Sequence, residues 1–382
     1  MYINWIEYES KTSGQKINHV EFNRLNLLVG ASAAGKTSIL RVISKFIMAI
    51  SLGHSIKEQC KFKICFSVAD RRFDVPALKD YLWEIETKEE DVLSAEDTSA
   101  CPILREKLQE LSSGNIIIDR QEAKIYIAGY ENIPQISKTQ STIFIFRENN
   151  PFNIIVDDMR SSLTLYNQNS AFYSVSHKML EQLKRIIQDA NDNGQPLRWH
   201  YVTQSKFPVS LFIYIVKNTN RSKFDAFLED LQDIFPEIED VHLNQYSSDN
   251  GDYYLSIKQK GHMILQPDIS SGVMRTIYIL ACIHFCEPSS VIMFDELENS
   301  LGVNCLDEMV ERIIQKSAKK QMQFLLTSHH PYIINQLPTN SWLVISQKDG
   351  IIDSKKASDL GLGKMKQDNF FDLINYLKRQ FA

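Results

Sequence analysis

Short apolar runs and amphipathic stretches follow one another along the chain, and together they predict an α/β protein. Residues 25–29 form an apolar run long enough for a buried strand, and residues 38–50 place apolar side chains on one face of a helix. Runs at 290–294 and 323–327 have the length of further buried strands, and 276–286 is predicted to be an apolar helix. We therefore expect strands and helices of comparable weight.

The rest of the pattern predicts more elements of both kinds. Strands are expected at 2–8, 18–29, 61–75, 115–119, 124–128, 199–201, 208–216, 240–246, 252–258, 342–346 and 351–353. Helices are expected at 77–94, 103–112, 171–190, 222–235 and 368–381. The character of the sequence changes near residue 166, so we interpret 166–240 as an inserted helical or lid region. The core then consists of residues 1–165 and 241–382.

Composition is typical of a soluble globular protein. The chain has 382 residues, 43% hydrophobic and 23% charged, with a net charge of −5 and no long block of one charge. Nothing here indicates nucleic-acid binding, although a local basic groove stays possible in an oligomer. No apolar run approaches the roughly 18–20 residues that span a bilayer, and the first residues do not resemble a signal peptide. We expect a cytoplasmic protein with no membrane contact.

The six cysteines form no C-x-x-C pair. Cys282 and Cys286 lie one helical turn apart with His284 between them, a spacing that could suggest a metal site. The apolar residues around them favour a buried helix instead, and reduced thiols are expected.

Residues 30–37, Gly-Ala-Ser-Ala-Ala-Gly-Lys-Thr, match the phosphate-binding loop pattern G-x-x-x-x-G-K-[ST] at every fixed position. The two glycines let the backbone turn its N–H groups toward phosphate oxygens. Lys36 is expected to reach the β- and γ-phosphates, and the Thr37 hydroxyl can bind Mg²⁺. The following helix adds the partial positive charge of its N-terminus. A nucleoside triphosphate is thus predicted to contact Gly30, Ala31, Ser32, Ala33, Ala34, Gly35, Lys36, Thr37 and Ser38.

Two adjacent carboxylates, Asp295 and Glu296, end the apolar run that begins at residue 290. In a phosphate-loop ATPase an Asp at this place holds magnesium, and a following Glu can orient or deprotonate the attacking water. A solvated strand end is the simpler alternative. The run at 323–327 is likewise followed by His329 and His330, and an imidazole there could sense the γ-phosphate. We favour His329.

A third polar segment, Ser270-Ser271-Gly272, precedes the apolar helix at 276–286. Its N–H groups at a helix start are suited to phosphate. An ordinary helix cap would use the same residues, and the sequence alone does not separate the two interpretations.

These four segments, in this order, resemble the ABC-type ATPases of the SMC-like and OLD-like branch, over about residues 1–50 and 260–345. By this resemblance, residues 30–37 correspond to the Walker A loop and Asp295-Glu296 to Walker B with its catalytic Glu. Ser271-Gly272 correspond to the signature motif and His329 to the switch histidine. Gln140 is a candidate for the Q-loop glutamine that contacts the metal. The resemblance implies a P-loop NTPase head: a mixed sheet flanked by helices, with an inserted lid region.

The resemblance also implies ATP and Mg²⁺ as ligands, and a homodimer or higher oligomer in which the signature of one subunit closes over ATP on the other. The segments 295–301 and 327–333 are similar to ATPase subunits of the anti-phage systems Septu and PARIS. However, Gly302-Val303 stand where that subgroup often has His-Pro. About 50 residues follow His330, which is too short for the Toprim nuclease domain of OLD proteins.

The function expected from this resemblance is that of a sensor subunit of a defence system, with a separate nuclease or toxin as effector. The alternative is a DNA-repair or chromosome-maintenance ATPase that acts on nucleic acid. A scaffold that binds nucleotide without hydrolysis is a third possibility, and Glu296 argues against it.

Overall fold

The computed structural model of the chain describes residues 1–69, 78–88, 100–122, 124–160, 163–165, 175–192, 209–245, 252–319, 322–362 and 369–381. The predicted strand at 199–201 lies outside these residues. Within the described residues, no helix combines the length and the apolar character needed to cross a lipid bilayer.

The first half of the chain is rich in strands. They are β1 (Tyr2–Ser10), β2 (Lys16–Glu21), β3 (Leu25–Val29), β4 (Cys60–Ala69), β5 (Leu78–Thr87), β6 (Ile103–Glu110), β7 (Ile116–Gln121), β8 (Lys124–Ile127) and β9 (Leu163–Leu165). Its helices are α1 (Lys36–Leu52), α2 (Thr142–Ile145) and α3 (Phe152–Arg160).

Helices dominate the second half. They are α4 (His177–Asp192), α5 (Val209–Thr219), α6 (Arg221–Ile234), α7 (Ser271–Phe285), α8 (Val303–Ala318), α9 (Pro331–Gln336) and α10 (Asn369–Phe381). The strands are β10 (Ile238–Gln245), β11 (Tyr253–Gln259), β12 (His262–Leu265), β13 (Ser290–Phe294), β14 (Met322–Thr327), β15 (Trp342–Lys348) and β16 (Ile351–Lys356).

Thirteen of the described strands form one mixed sheet in the order β8-β7-β6-β5-β4-β1-β2-β16-β15-β3-β14-β13-β9. β15, β3, β14, β13 and β9 are parallel neighbours, whereas β1 and β4 to β8 pair antiparallel. A separate antiparallel sheet contains β10, β11 and β12. The parallel strands place their carboxyl ends at one edge, which is where α/β sheets bind ligands.

The central strands are buried on both faces, and successive residues enter different hydrophobic cores. On β3, Leu27 and Val29 face the core formed with α5 to α9, whereas Leu28 faces the core formed with α1 and α3. Phe294 and Met293 divide in the same way on β13. Two-sided burial explains why these strands are continuous apolar runs instead of alternating patterns.

Most predicted elements are confirmed, including α1, α6, α7, α10, β13, β14 and the hairpins β7–β8 and β15–β16. The helices predicted at 77–94 and 103–112 are wrong where the structure describes them, because it has β5 at Leu78–Thr87 and β6 at Ile103–Glu110. Tyr81, Trp83 and Ile85 are buried at a spacing of two, so one face of β5 covers the core. Pairing with neighbouring strands overrides the helix-favouring Glu, Lys and Leu residues of both segments.

Two further predictions need correction. The strand predicted at 208–216 is α5, a helix buried on nearly every side; a short apolar run does not separate these two states. The strand predicted at 18–29 is interrupted between β2 and β3. There the Asn26 side chain accepts a hydrogen bond from Asn23 N (2.7 Å) and donates one to Asn23 O (2.7 Å).

Candidate nucleotide site

The loop between β3 and α1 requires glycine at both of its fixed positions. A Cβ atom on Gly30 would lie 2.3 Å from the backbone oxygen of Ile345, and one on Gly35 would lie 2.3 Å from Cδ1 of Ile352. Gly35 also adopts a left-handed conformation (φ 94°) as the residue that caps α1. β15 and β16 therefore press against the loop, and only glycine permits the approach.

Lys36, the first residue of α1, is buried and turned back onto the loop. Its Nζ donates hydrogen bonds to Gly30 O (3.0 Å) and Ala31 O (2.9 Å). Burial lowers the pKa of Lys36, and the nearby carboxylates of Asp295, Glu296 and Glu298 oppose this shift. The ammonium group is thus held at the mouth of the loop, with an excess of negative charge nearby.

Thr37 and Asp295 meet across the sheet edge. The Thr37 Oγ1 atom lies 3.0 Å from each carboxylate oxygen of Asp295. A hydroxyl and a carboxylate at this spacing are hard oxygen ligands of the kind that Mg²⁺ prefers. The donor set therefore fits the predicted magnesium ion, with Thr37 and Asp295 as its ligands from the chain.

Thr327, at the end of β14, connects the two carboxylate residues. Its hydroxyl donates to Asp295 Oδ1 (2.7 Å) and accepts a hydrogen bond from Glu296 N (2.8 Å). Glu296 adopts a left-handed conformation (φ 49°), and its side chain is exposed. One threonine thus fixes the orientation of Asp295 and the start of the turn that carries Glu296.

His329 follows Thr327 by two residues, and its backbone N–H donates to Glu298 Oε1 (2.7 Å). Partial desolvation lowers the pKa of His329; the positive charge of Lys36 adds to this shift, and Glu298, Glu296 and Asp295 oppose it. The imidazole is thereby biased toward its neutral form, within electrostatic reach of the phosphate-loop lysine. His330 instead caps α9, and its Nδ1 atom is buried without a hydrogen-bond partner in the described part of the chain.

The segment 270–272 lies at the start of α7. Ser270 is the helix cap, and its side chain accepts a hydrogen bond from Val273 N (3.3 Å). Ser271 is exposed, and a Cβ atom on Gly272 would lie 3.2 Å from the backbone oxygen of Ser300. The capping alternative therefore applies to Ser270. Ser271 and Gly272 lie free of that role, beside the turn that follows Glu296.

Gln140 is not brought to this site, and its prediction as a metal contact is wrong. Its Nε2 atom donates to Gly53 O (3.2 Å), and Gly53 caps the C-terminal end of α1. A helix of 17 residues is about 25 Å long, so Gln140 lies at the far end of α1 from the phosphate loop. On the side of β13 away from β14, the strand that ends beside the carboxylates is β9, where Leu165 pairs with Phe294.

Two residues with clear places in the site were not singled out from the sequence. The sequence indicates only that Thr327 ends a strand and that Glu298 falls within the segment 295–301. A polar residue that ends a buried strand directly before Ser-His was the available signal for Thr327. The role of Glu298 depends on a contact across 31 positions, which no local pattern reveals.

Comparisons with known proteins give one family. A family model described as "AAA domain, putative AbiEii toxin, Type IV TA system" matches residues 25–335, which is more than half of the chain. No curated protein matches the chain.

Similar solved structures include "Crystal structure of the SmcHead bound to the C-winged helix domain of ScpA". It is 12% identical, with a TM-score of 0.49, and covers 93% of this chain and 98% of that one. The "SMC head domain from Thermotoga maritima" is also 12% identical, with a TM-score of 0.36, and covers 93% of this chain and 99% of that one. Neither likeness bears on function.

Proposed function

The chain belongs to this AAA domain family, and from that premise we propose that it is an ATPase that binds ATP with Mg²⁺ and hydrolyses it. The observation that supports this most is the connected set of Thr37, Asp295, Thr327 and Glu296, which joins the phosphate loop to both carboxylates.

Each residue of the site has a role in this proposal. The loop N–H groups and Lys36 bind the phosphates, and Lys36 exchanges its two loop carbonyls for phosphate oxygens. Thr37 and Asp295 hold the metal, and bound Mg²⁺ supplies positive charge against the phosphate oxygens. Glu296 orients the attacking water and accepts its proton. His329, in its neutral form, donates a hydrogen bond to the γ-phosphate.

The substitution Glu296→Gln tests the catalytic assignment. It keeps the size of the side chain but removes its basicity, so turnover of ATP should fall at least about 100-fold while ATP binding is retained. Glu311→Gln, on the exposed face of α8, is the matched control and should leave turnover unchanged. Unchanged turnover in Glu296→Gln would remove Glu296 from the mechanism.

We further propose that two subunits enclose the nucleotides, with Ser271 and Gly272 of one facing the phosphates of the other. The exposure of Ser271 at the start of α7 supports this arrangement. Binding of ATP then closes the pair and hydrolysis opens it, which is a two-state element able to hold or release another protein.

The role we propose for this cycle is that of a sensor subunit in a bacterial anti-phage system, which controls a separate nuclease or toxin. Support comes from the similarity of the segments 295–301 and 327–333 to ATPase subunits of the anti-phage systems Septu and PARIS. The family description, which names a toxin and a type IV toxin–antitoxin system, supports the same role. A neighbouring gene should encode the effector, and the two proteins should co-purify. Turnover that rises with duplex DNA and falls steeply with salt would instead favour the DNA-maintenance alternative.

A further inference from the structure

Glu298 lies three residues beyond Asp295 and is shared between two loops of the site. Its Oε1 atom accepts the hydrogen bond from His329 N, whereas its Oε2 atom is buried with no hydrogen-bond partner among the described residues. A buried oxygen without a partner is costly, so the side chain that places one here calls for an explanation.

The turn that carries Glu298 is fixed by backbone contacts. Asn299 N donates to Glu296 O (2.9 Å), and Leu301 N donates to Glu298 O (3.0 Å). Leu297 N donates to Thr327 O (3.0 Å), which attaches the turn to the end of β14. The base of the Glu298 side chain is therefore held in place, and its carboxylate reaches from a rigid turn to the next loop.

The receiving loop begins where β14 ends. Beyond Thr327, Ser328 Oγ accepts a hydrogen bond from His330 N (3.0 Å), and α9 begins at Pro331. His329 thus lies between a strand and a helix, and its N–H is held by the Glu298 side chain. A hydrogen bond from an N–H to a carboxylate is among the stronger kinds, because the acceptor is charged.

We infer that Glu298 is a positioning residue: its carboxylate holds the backbone of His329 and so sets the direction of the imidazole toward the γ-phosphate. This inference rests on the proposed ATP hydrolysis. Glu298 touches neither nucleotide nor water in this scheme and acts only through His329.

Arg275 supports the arrangement from α7. Its side chain is buried, its Nε and Nη2 atoms have no hydrogen-bond partner among the described residues, and its guanidinium lies 5.8 Å from the centre of the Phe294 ring. The charges of Glu298 and Asp295 interact with it electrostatically. A positive charge therefore lies near the carboxylate, in a partly buried place where an isolated charge would be expensive.

Two substitutions separate the effect of the length of the Glu298 side chain from the effect of its charge. Glu298→Gln loses the charge, but its amide oxygen still reaches His329 N. Glu298→Asp keeps the charge, but its side chain is one methylene shorter and loses the contact. In the 382-residue chain, we expect Glu298→Gln to keep kcat within about 3-fold of wild type and Glu298→Asp to lower it about 10- to 100-fold, with the KM for ATP unchanged. The opposite order would assign Glu298 a purely electrostatic role and overturn the inference.

A double substitution tests the route through His329. If Glu298 acts only through this histidine, Glu298→Asp should add nothing to His329→Ala, so the double variant should have the kcat of His329→Ala alone. Independent, multiplicative losses would contradict the inference. Glu311→Asp on α8 serves as the matched control for both sets.

Amide hydrogen exchange at His329, measured by NMR without nucleotide, tests the hydrogen bond to Glu298 even if the protein shows no ATP turnover. Exchange should rise at least about 10-fold in Glu298→Asp and stay near wild type in Glu298→Gln, because only the former breaks the hydrogen bond. Equal exchange in all three proteins would overturn the inference. If the wild-type protein does not turn over ATP but the two variants show this exchange pattern, the proposed ATPase activity is refuted and the contact between Glu298 and His329 is still supported.

Discussion

Two polar regions of the molecule differ in how far they are assembled within one chain. In the phosphate-loop region, Lys36 binds two loop carbonyls, and Asp295 receives bonds from Thr37 and Thr327. At the start of α7, Ser270 caps the helix, but Ser271 is exposed. The first region is assembled within one chain, whereas the second presents a helix N-terminus to the outside.

This difference separates the binding of nucleotide by one subunit from the closure of two subunits around it. A preassembled phosphate loop can bind nucleotide in a single subunit, because its geometry is already formed without a second subunit. An exposed helix N-terminus offers N–H donors that suit an anion supplied from elsewhere. The comparison therefore predicts that loss of the phosphate-loop lysine weakens ATP binding, whereas changes at the start of α7 lower only hydrolysis.

The largest effect is expected from Lys36→Ala. Removal of the buried ammonium takes away the charge that meets the phosphates, so ATP binding by equilibrium dialysis should weaken at least about 100-fold. Lys61→Ala is the matched control, because Lys61 forms a surface ion pair with Glu86 at 3.0 Å. Retained tight binding in Lys36→Ala would refute the phosphate-loop assignment.

Thr327→Val should have an intermediate effect. The valine keeps the shape of the buried side chain but leaves Glu296 N and one oxygen of Asp295 without this partner. We expect turnover to fall about 10- to 100-fold and the free energy of unfolding to fall by about 2 kcal/mol, measured by urea denaturation. Thr327→Ser restores the hydroxyl and should recover most of both. Wild-type turnover in the valine variant would show that the threonine does not orient the carboxylates.

The smallest effect on nucleotide binding is expected from a substitution of Asp230, which supports α7 away from the phosphate loop. Asp230 on α6 forms ion pairs with His284 on α7 (2.6 Å) and Arg312 on α8 (2.8 Å). Burial raises the pKa of Asp230, but the hydrogen bonds and charges of His284 and Arg312 outweigh this and lower it to about 2.

A carboxyl group whose pKa is lower in the folded chain than in the unfolded chain stabilises the fold at pH values above the unfolded pKa. This stabilisation is lost as the pH falls toward the folded pKa of about 2. Asp230→Asn should therefore lower the free energy of unfolding by about 2 kcal/mol at pH 7, and the difference from wild type should shrink between about pH 4 and pH 2. Urea denaturation at several pH values measures this. ATP binding by a single subunit should not change; a loss of binding would mean that the two regions are coupled within one chain.

The sequence predicted the parts of the site that depend on local order. The loop at 30–37 and the carboxylates at 295–296 follow buried strands directly, and parallel strands bring such ends together without further information. His329 follows a third such strand end. These residues could be found because each lies within a few positions of an apolar run.

Features that depend on partners distant in sequence were missed. Glu-, Lys- and Leu-rich segments such as β5 and β6 favour helices locally, and only their neighbours in the sheet make them strands. Gln140 lies directly before the apolar segment at 141–147, but its side chain contacts Gly53, which is 87 positions away in sequence. The contact of Glu298 with His329 is likewise distant, at 31 positions in sequence.

The most direct test of the central claim mixes two inactive variants. Lys36→Ala removes the phosphate-binding lysine, and Ser271→Arg places a bulky cation at the start of α7. If each site combines the loop of one subunit with α7 of another, a mixed pair contains one site in which both parts are wild type. Re-equilibrated equimolar mixtures should then recover about a quarter of wild-type ATPase activity, since half of the pairs are mixed and each has one intact site. Activity that stays at the level of the separate variants would contradict the account.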